Sequence, residues 1–182
     1  MYIKKITGEK CYLSPMLLDD AEKYTEWLNN AEIADNLTRV YSPLTVDGER
    51  ELLARISKEH NYGIIDVKTD SLIGNAGLNG IDHSNRSAEA GLFIGDKSFW
   101  DKGYGREALS LLIDFAYKKL NLHNISLNVY AFNKRAIACY TKIGFKQAGV
   151  IRQGLIRNLE YHDIILMDIL PKEFYEKNPQ YK

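Results

Sequence analysis

The chain predicts a mixed α/β fold, and three observations carry that prediction. In the middle, Ala88 to Gly95 reads as a strand, and a glycine-bearing loop then opens a long amphipathic helix that ends near Leu120. Ile125 to Tyr130 follows as a second strand, so this strand–helix–strand unit calls for parallel strands and a right-handed crossover. Around it, helical periodicity dominates the front of the chain, and a pair of long strands closes it. A sheet of mixed direction with helices on both faces follows.

Taken in order, Lys10 to Ser14 suits a first strand. Ala21, Tyr24, Trp27 and Leu28 share one helical face, which makes Asp19 to Asn30 a helix. Asn36 to Thr45 is irregular, and Pro43 with Thr45 suits the start of a second helix that buries Leu52, Leu53 and Ile56. Tyr62 to Val67 and Ser71 to Leu78 flank Lys68-Thr69-Asp70 as a hairpin. Gly80 to Arg86 is a polar loop before the strand that carries Glu89. In the central helix Ala108, Leu109, Leu112 and Ala116 repeat with Leu111 and Phe115, and Lys118 and Lys119 lie in the last turn, where cations suit the dipole. Asn133 to Ile143 is a short helix closed by Gly144-Phe145, and Phe145 to Ile156 pairs with Glu160 to Leu170 around Arg157-Asn158-Leu159. The tail from Pro171 is polar and aromatic and is expected to be peripheral.

The bulk numbers narrow the function. At 182 residues the chain suits one domain with a proper core. Acidic and basic residues balance at 24 each, which favours neither nucleic acid nor a membrane surface as a general partner. No apolar run approaches a membrane span, and Met1-Tyr2-Ile3-Lys4-Lys5 leads into no apolar targeting segment. Cys11 and Cys139 give no disulfide framework, and the four histidines are scattered. A reducing cytoplasm and no metal site are the expectations.

The chemistry concentrates in Phe99-Trp100-Asp101-Lys102-Gly103-Tyr104-Gly105-Arg106-Glu107-Ala108. The first backbone N–H groups of a helix lack intrahelical partners and sit at the positive end of its dipole. Glycines there let an anion, typically a phosphate, approach the main chain. The loop also spells G-x-G-x-x-A, a dinucleotide-binding pattern, but Asp96 to Lys102 separate it from the strand and no acid closes the next strand. A P-loop is excluded because no Gly-Lys-Ser/Thr follows. The bland alternative is a purely structural helix start.

Taken together, the Gly103-Tyr104-Gly105 loop, the run Asn133, Ala136, Tyr140, Lys142 before Gly144-Phe145, and the closing Tyr161-His162-Asp163-Ile164-Ile165-Leu166-Met167 resemble the Gcn5-related N-acetyltransferase (GNAT) superfamily. Within it the similarity is to the RimJ/RimL-type branch, which includes spermidine acetyltransferases. Asp20-Ala21-Glu22 and Trp27-Leu28-Asn29 fit more loosely, so the resemblance spans almost the whole chain. One departure stands out. The superfamily loop often begins with Gln or Arg three residues before its first glycine, and that position is Trp100 here.

The resemblance implies a single N-acetyltransferase domain over 1–182, with a core of about 10–170 and a tail of 171–182. It implies a mostly antiparallel twisted sheet whose two central parallel strands splay to admit the pantetheine arm of acetyl-CoA. The pyrophosphate would lie on the main chain of Lys102, Gly103, Tyr104, Gly105 and Arg106, and Leu92, Phe93 and Ile94 would polarise the thioester carbonyl through their N–H groups. Asn133 would touch the cofactor while capping its helix, Lys134 and Arg135 are candidates for the 3′-phosphate, and no metal is implied.

Two side chains are the catalytic candidates. Tyr140 matches the tyrosine that meets the departing thiolate, whose conjugate thiol has a pKa of roughly 8.5. Its rival reading is a core aromatic. Glu89 is placed to take the proton from an alkylammonium of pKa roughly 10; its rival reading is a solvent-facing acid opposite a lysine. Glu107 is read as stabilising the first turn against its dipole. Cys139 is read as a packed thiol, since the family transfers acetyl directly. Tyr41, Asn75, Asn128 and Tyr130 are acceptor-site candidates by location.

The acceptor is a protein N-terminus or a small-molecule amine, with a polyamine as the alternative. A polyamine would call for acids at the acceptor mouth, where Glu22, Glu26, Glu32 and Asp35 stand, although such a run is more often a solvated helix face. A non-catalytic acyl-CoA sensor on the same fold is the competing class. Homodimers are common in the family.

Overall fold

The structure is a computed structural model described over residues 1–37 and 43–182. Its strands are β1 (Ile6–Thr7), β2 (Cys11–Pro15), β3 (Asn61–Asp66), β4 (Leu72–Asp82), β5 (Ser87–Ile94), β6 (Asn124–Tyr130), β7 (Lys146–Arg157) and β8 (Glu160–Ile169). Its helices are α1 (Ala21–Leu28), α2 (Ala31–Ala34), α3 (Val46–Ile56), α4 (Tyr104–Lys119), α5 (Lys134–Ile143) and α6 (Pro171–Lys177). The strands form one eight-stranded sheet in the order β1-β2-β3-β4-β5-β6-β8-β7. The chain divides into two compact units, Met1–Leu78 with Leu92–Leu112, and Asn79–Gly91 with Ile113–Lys182.

In the first unit β2, β3 and β4 run antiparallel, with Cys11 opposite Asp66 and Asn61 opposite Gly77. Every residue of β3 is buried. Helix α1 buries Ala21, Tyr24, Trp27 and Leu28, the face read from the sequence, against Tyr12, Leu53, Ile65 and Leu72. Phe93 packs on that cluster, with its ring centroid 6.1 Å from Tyr24 and 6.2 Å from Trp27, both edge to face. Thr45 caps α3 by accepting the Gly48 N–H at 3.1 Å. Of the expected buried face of α3, Leu53 is buried while Leu52 and Ile56 are half-buried.

In the second unit β5 and β6 are parallel over only three registered pairs, Ser87–Asn124, Ala88–Ile125 and Glu89–Ser126. That ladder stops at Glu89 although β5 continues to Ile94 and β6 to Tyr130. Antiparallel pairing then joins β6 to β8 from Ile125–Ile169 to Tyr130–Ile164, and β8 to β7. The β7–β8 turn places Asn158 and Leu159 at φ of 49° and 65°, two consecutive left-handed residues of the kind a tight hairpin uses. The central parallel pair and the mostly antiparallel sheet agree with the fold the sequence implied.

The fold differs from expectation in three ways. Strand β1 is two residues and α2 four, too short to show a period. Strand β4 runs on to Asp82, which shortens the expected polar loop. The third difference is a correction: the tail from Pro171 is not peripheral. Phe174 and Asn178 are 0% exposed, and the Phe174 ring stands 5.8 Å from Tyr117. Asn178 donates to the carbonyls of Ile143 (2.7 Å) and Phe174 (2.9 Å), tying the tail to the end of α5. A fully buried phenyl ring carries most of that anchoring. Phe174→Ala is therefore expected to cost about 3–5 kcal/mol in urea unfolding; a loss below about 1 kcal/mol would return the tail to the periphery.

Candidate active site

The start of α4 is shaped by its main chain. Asp101 and Gly103 have φ of 59° and 87°, a conformation L side chains rarely adopt. At Gly103 the backbone itself demands glycine, since a Cβ would otherwise meet only the Lys10 side chain at 3.9 Å. Gly105 differs. A Cβ there would make ordinary contacts with Leu92 at 3.4 Å and Ile94 at 3.7 Å, so packing does not require glycine. The first bond into the helix runs from the Glu107 N–H to the Gly103 carbonyl at 3.0 Å. The amides of Gly103, Tyr104, Gly105 and Arg106 thus precede the helical ladder. Lys102, Arg106 and Lys10 are exposed beside them. Amides ahead of the helical ladder, open space at Gly103 and nearby exposed cations are features that suit an anion.

Three side chains strap this helix start down within the first unit. Tyr104 donates its hydroxyl to Asp66 Oδ1 at 2.7 Å, and Asp66 Oδ2 accepts from the Thr69 N–H and hydroxyl at 2.9 and 2.7 Å. Burial opposes ionisation of Asp66, but the hydrogen bonds from Tyr104 and Thr69 outweigh it and hold the carboxyl below its ordinary value. The hydrogen bond to Asp66, with some burial, pushes Tyr104 up to about 12. Glu107 accepts the N–H groups of Lys10 at 2.8 Å and Cys11 at 3.3 Å, so it joins α4 to β2 besides lying in the first turn. Trp100, at the departure position, donates its indole N–H to the Ile94 carbonyl at 2.8 Å and packs on the α1 cluster. It fixes the end of β5, with Leu92, Phe93 and Ile94 all half-buried.

Of the remaining candidates, all but Asn75 and Tyr41 lie in the second unit. Glu89 is exposed on β5, and Asn128 Nδ2 donates to its Oε1 at 3.0 Å. The partner is an amide on β6 rather than the lysine of the rival reading. Tyr140 is buried on α5, its ring 5.9 Å from Phe145. Burial, with the neighbouring Cys139, pushes the Tyr140 hydroxyl well above 10.0. Asn133 caps α5 by accepting the Ala136 N–H at 3.0 Å. Lys134 and Arg135 are exposed at that helix start, and Cys139 is half-buried. Asn75 is half-buried on β4, and Tyr130 is buried with the Arg157 guanidinium 5.6 Å over its ring. Tyr41 lies outside the described residues.

Sequence reasoning missed the Lys10–Glu107 and Tyr104–Asp66 contacts, which join residues 97 and 38 apart. No local pattern announces either. Among the described residues no group of three or more His, Cys, Asp or Glu could hold a metal, and no helix is long and apolar enough to cross a membrane.

The chain combines a sheet that has one short parallel ladder with a helix start whose first amides precede the helical hydrogen-bond ladder. Residues 10–146 match the acetyltransferase (GNAT) domain, and the chain belongs to that family. It is 28% identical over 173 residues to the uncharacterized N-acetyltransferase p20 of Bacillus licheniformis, covering 91% of this chain and 96% of the relative. It is 29% identical over 115 residues to the spermidine N(1)-acetyltransferase of Vibrio cholerae, covering 63% of this chain and 66% of that enzyme. The crystal structure of the Vibrio cholerae spermidine N-acetyltransferase in complex with CoA and spermine matches at a TM-score of 0.82 and 26% identity, covering 92% of this chain and 99% of that one. The chain is an N-acetyltransferase with acetyl-CoA as donor.

The two glycines should respond oppositely. Gly103→Ala, forced into a left-handed conformation, is expected to lose about 1–2 kcal/mol. Gly105→Ala, at a helical position with room for a methyl, is expected to hold or gain up to about 1 kcal/mol. Equal thermal shifts in the two variants would contradict the backbone assignment.

Proposed function

We propose that the amides of Lys102 through Arg106 hold the acetyl-CoA pyrophosphate and that acetyl passes directly to a primary amine. The observation that carries this reading is the run of amides ahead of the helical ladder at the start of α4, opened by Gly103 at φ of 87° with space around it. In the reaction the amine nitrogen bonds the acyl carbon and the C–S bond breaks. From ammonium to amide the nitrogen loses two protons, one that leaves to solvent and one that ends on the departing sulfur. The N–H groups of Leu92 to Ile94 polarise the acyl carbonyl, and Asn133 and Lys134 contact the cofactor.

Glu89, whose carboxylate Asn128 already touches, takes the first proton from the ammonium, directly or through water, and passes it to solvent. Tyr140 meets the sulfur. Burial holds its hydroxyl above 10.0, so it stays protonated wherever the enzyme works. The leaving thiol lies lower, at roughly 8.5, so full proton transfer from Tyr140 runs uphill. Its role is to donate a hydrogen bond to the thiolate, and the second proton lost by the nitrogen re-protonates the sulfur. Most of the rate gain comes from holding amine and thioester together.

For the acceptor we favour a protein N-terminus or a small-molecule amine. Glu32 already pairs with Lys97, which leaves fewer free acids for a polycation, and Glu22 and Glu26 are exposed on α1. Polyamine acetylation is the second reading, favoured by the similarity to the spermidine acetyltransferase solved with spermine. A reducing cytoplasm is the proposed setting, consistent with two cysteines, Cys11 and Cys139, that form no disulfide.

Thiol release from acetyl-CoA across peptides, amino sugars, aminoglycosides and polyamines is the test, with release expected from one non-polyamine class. Release with spermidine alone would establish the second reading. Silence across the panel would contradict both. With the accepted amine in hand, Tyr140→Phe is expected to lower kcat on the order of 10–100-fold and leave acetyl-CoA affinity within about twofold. An unchanged kcat would remove Tyr140 from the chemistry.

A further inference from the structure

We propose that Lys10 is a positioning residue for acetyl-CoA, aiming the Gly103 amide at the diphosphate; this rests on the cradle reading above. Lys10 stands just before β2, yet it is built into the start of α4 from two directions. Its own N–H is held by Glu107 Oε1 at 2.8 Å, which fixes the head of β2 against the first helical turn. Its side chain then reaches back, and Nζ donates to the Lys102 carbonyl at 3.0 Å.

The consequence follows from peptide geometry. The Lys102–Gly103 peptide is planar and trans, so its C=O and N–H point in opposite directions. A carbonyl held by Lys10 turns the Gly103 N–H to the opposite side. Without that hold the same peptide is free to flip and present its carbonyl oxygen to an anion, which would repel it. Gly103, at φ of 87° and without a side chain, offers little resistance to such a flip. Lys10 supplies the missing constraint.

The lysine is itself held in place. Its ammonium lies 6.0 Å from the centroid of the Tyr104 ring, and Tyr104 is tethered to Asp66 at 2.7 Å. Where the superfamily loop often carries Gln or Arg, Trp100 here turns away to bond the Ile94 carbonyl. A cation from a distant strand thus stands at the loop that lacks one at its usual position.

The experiment compares Lys10→Met with the unmodified protein by calorimetric titration of CoA and by the ¹⁵N–¹H resonance of Gly103, using pantetheine as the probe without diphosphate. Lys10→Met is expected to keep its melting temperature, weaken CoA about tenfold, leave pantetheine within twofold and shrink the CoA-induced shift of the Gly103 amide. Lys10→Arg, which keeps a charged donor, should recover most of the affinity. CoA affinity within twofold of the unmodified protein in Lys10→Met, with the Gly103 shift retained, would overturn the role of Lys10 alone. A Gly103 amide that ignores CoA in the unmodified protein would remove the cradle itself.

Discussion

Helix α4 begins where it does because the chain turns left-handed at Asp101 and again at Gly103, with φ of 59° and 87°. That turn is the constraint on which the first unit's chemistry depends. It sets where the helical ladder begins, and the amides ahead of that ladder are the anion donors a helix offers without side chains. Holding such a turn requires straps, and the chain provides them from two strands: Asp66 of β3 on the Tyr104 hydroxyl, and the head of β2 on Glu107. Trp100 adds a third hold on the approach, at the Ile94 carbonyl.

The proposed chemistry divides along the same line. Binding of the donor is given to main-chain groups, which carry no titration and keep their geometry across pH. Proton handling is left to two side chains with contrasting surroundings. Glu89 is exposed and touched by an amide, while Tyr140 is buried and held protonated. The contrast suits an acceptor of a proton and a donor of a hydrogen bond, respectively.

Much of this was legible in the sequence where a local rule applied. The apolar spacing of α1 and α4, the Thr45 cap and the Asn133 cap each declare a helix within their own few residues. The glycine loop marked the start of α4 for the same reason, and Gly103 is left-handed there. What escaped reading was either too short or too remote. A two-residue β1 has no period to detect. The tail holds three aromatics, Phe174, Tyr175 and Tyr181, among polar neighbours, and only Phe174 of them is buried, a difference no spacing announces. Asn128 and Glu89 are 39 residues apart, and only the parallel register of β5 with β6 brings them to one face. Lys10 and Glu107 lie 97 apart, and nothing in either neighbourhood points to the other.

The most direct test of the central claim is a crystal structure of the protein with CoA bound. The diphosphate oxygens are expected within hydrogen-bonding distance of the amides of Gly103 to Arg106, with the Lys102 carbonyl still turned toward Lys10. A diphosphate bound elsewhere, with the start of α4 left to solvent, would contradict the account.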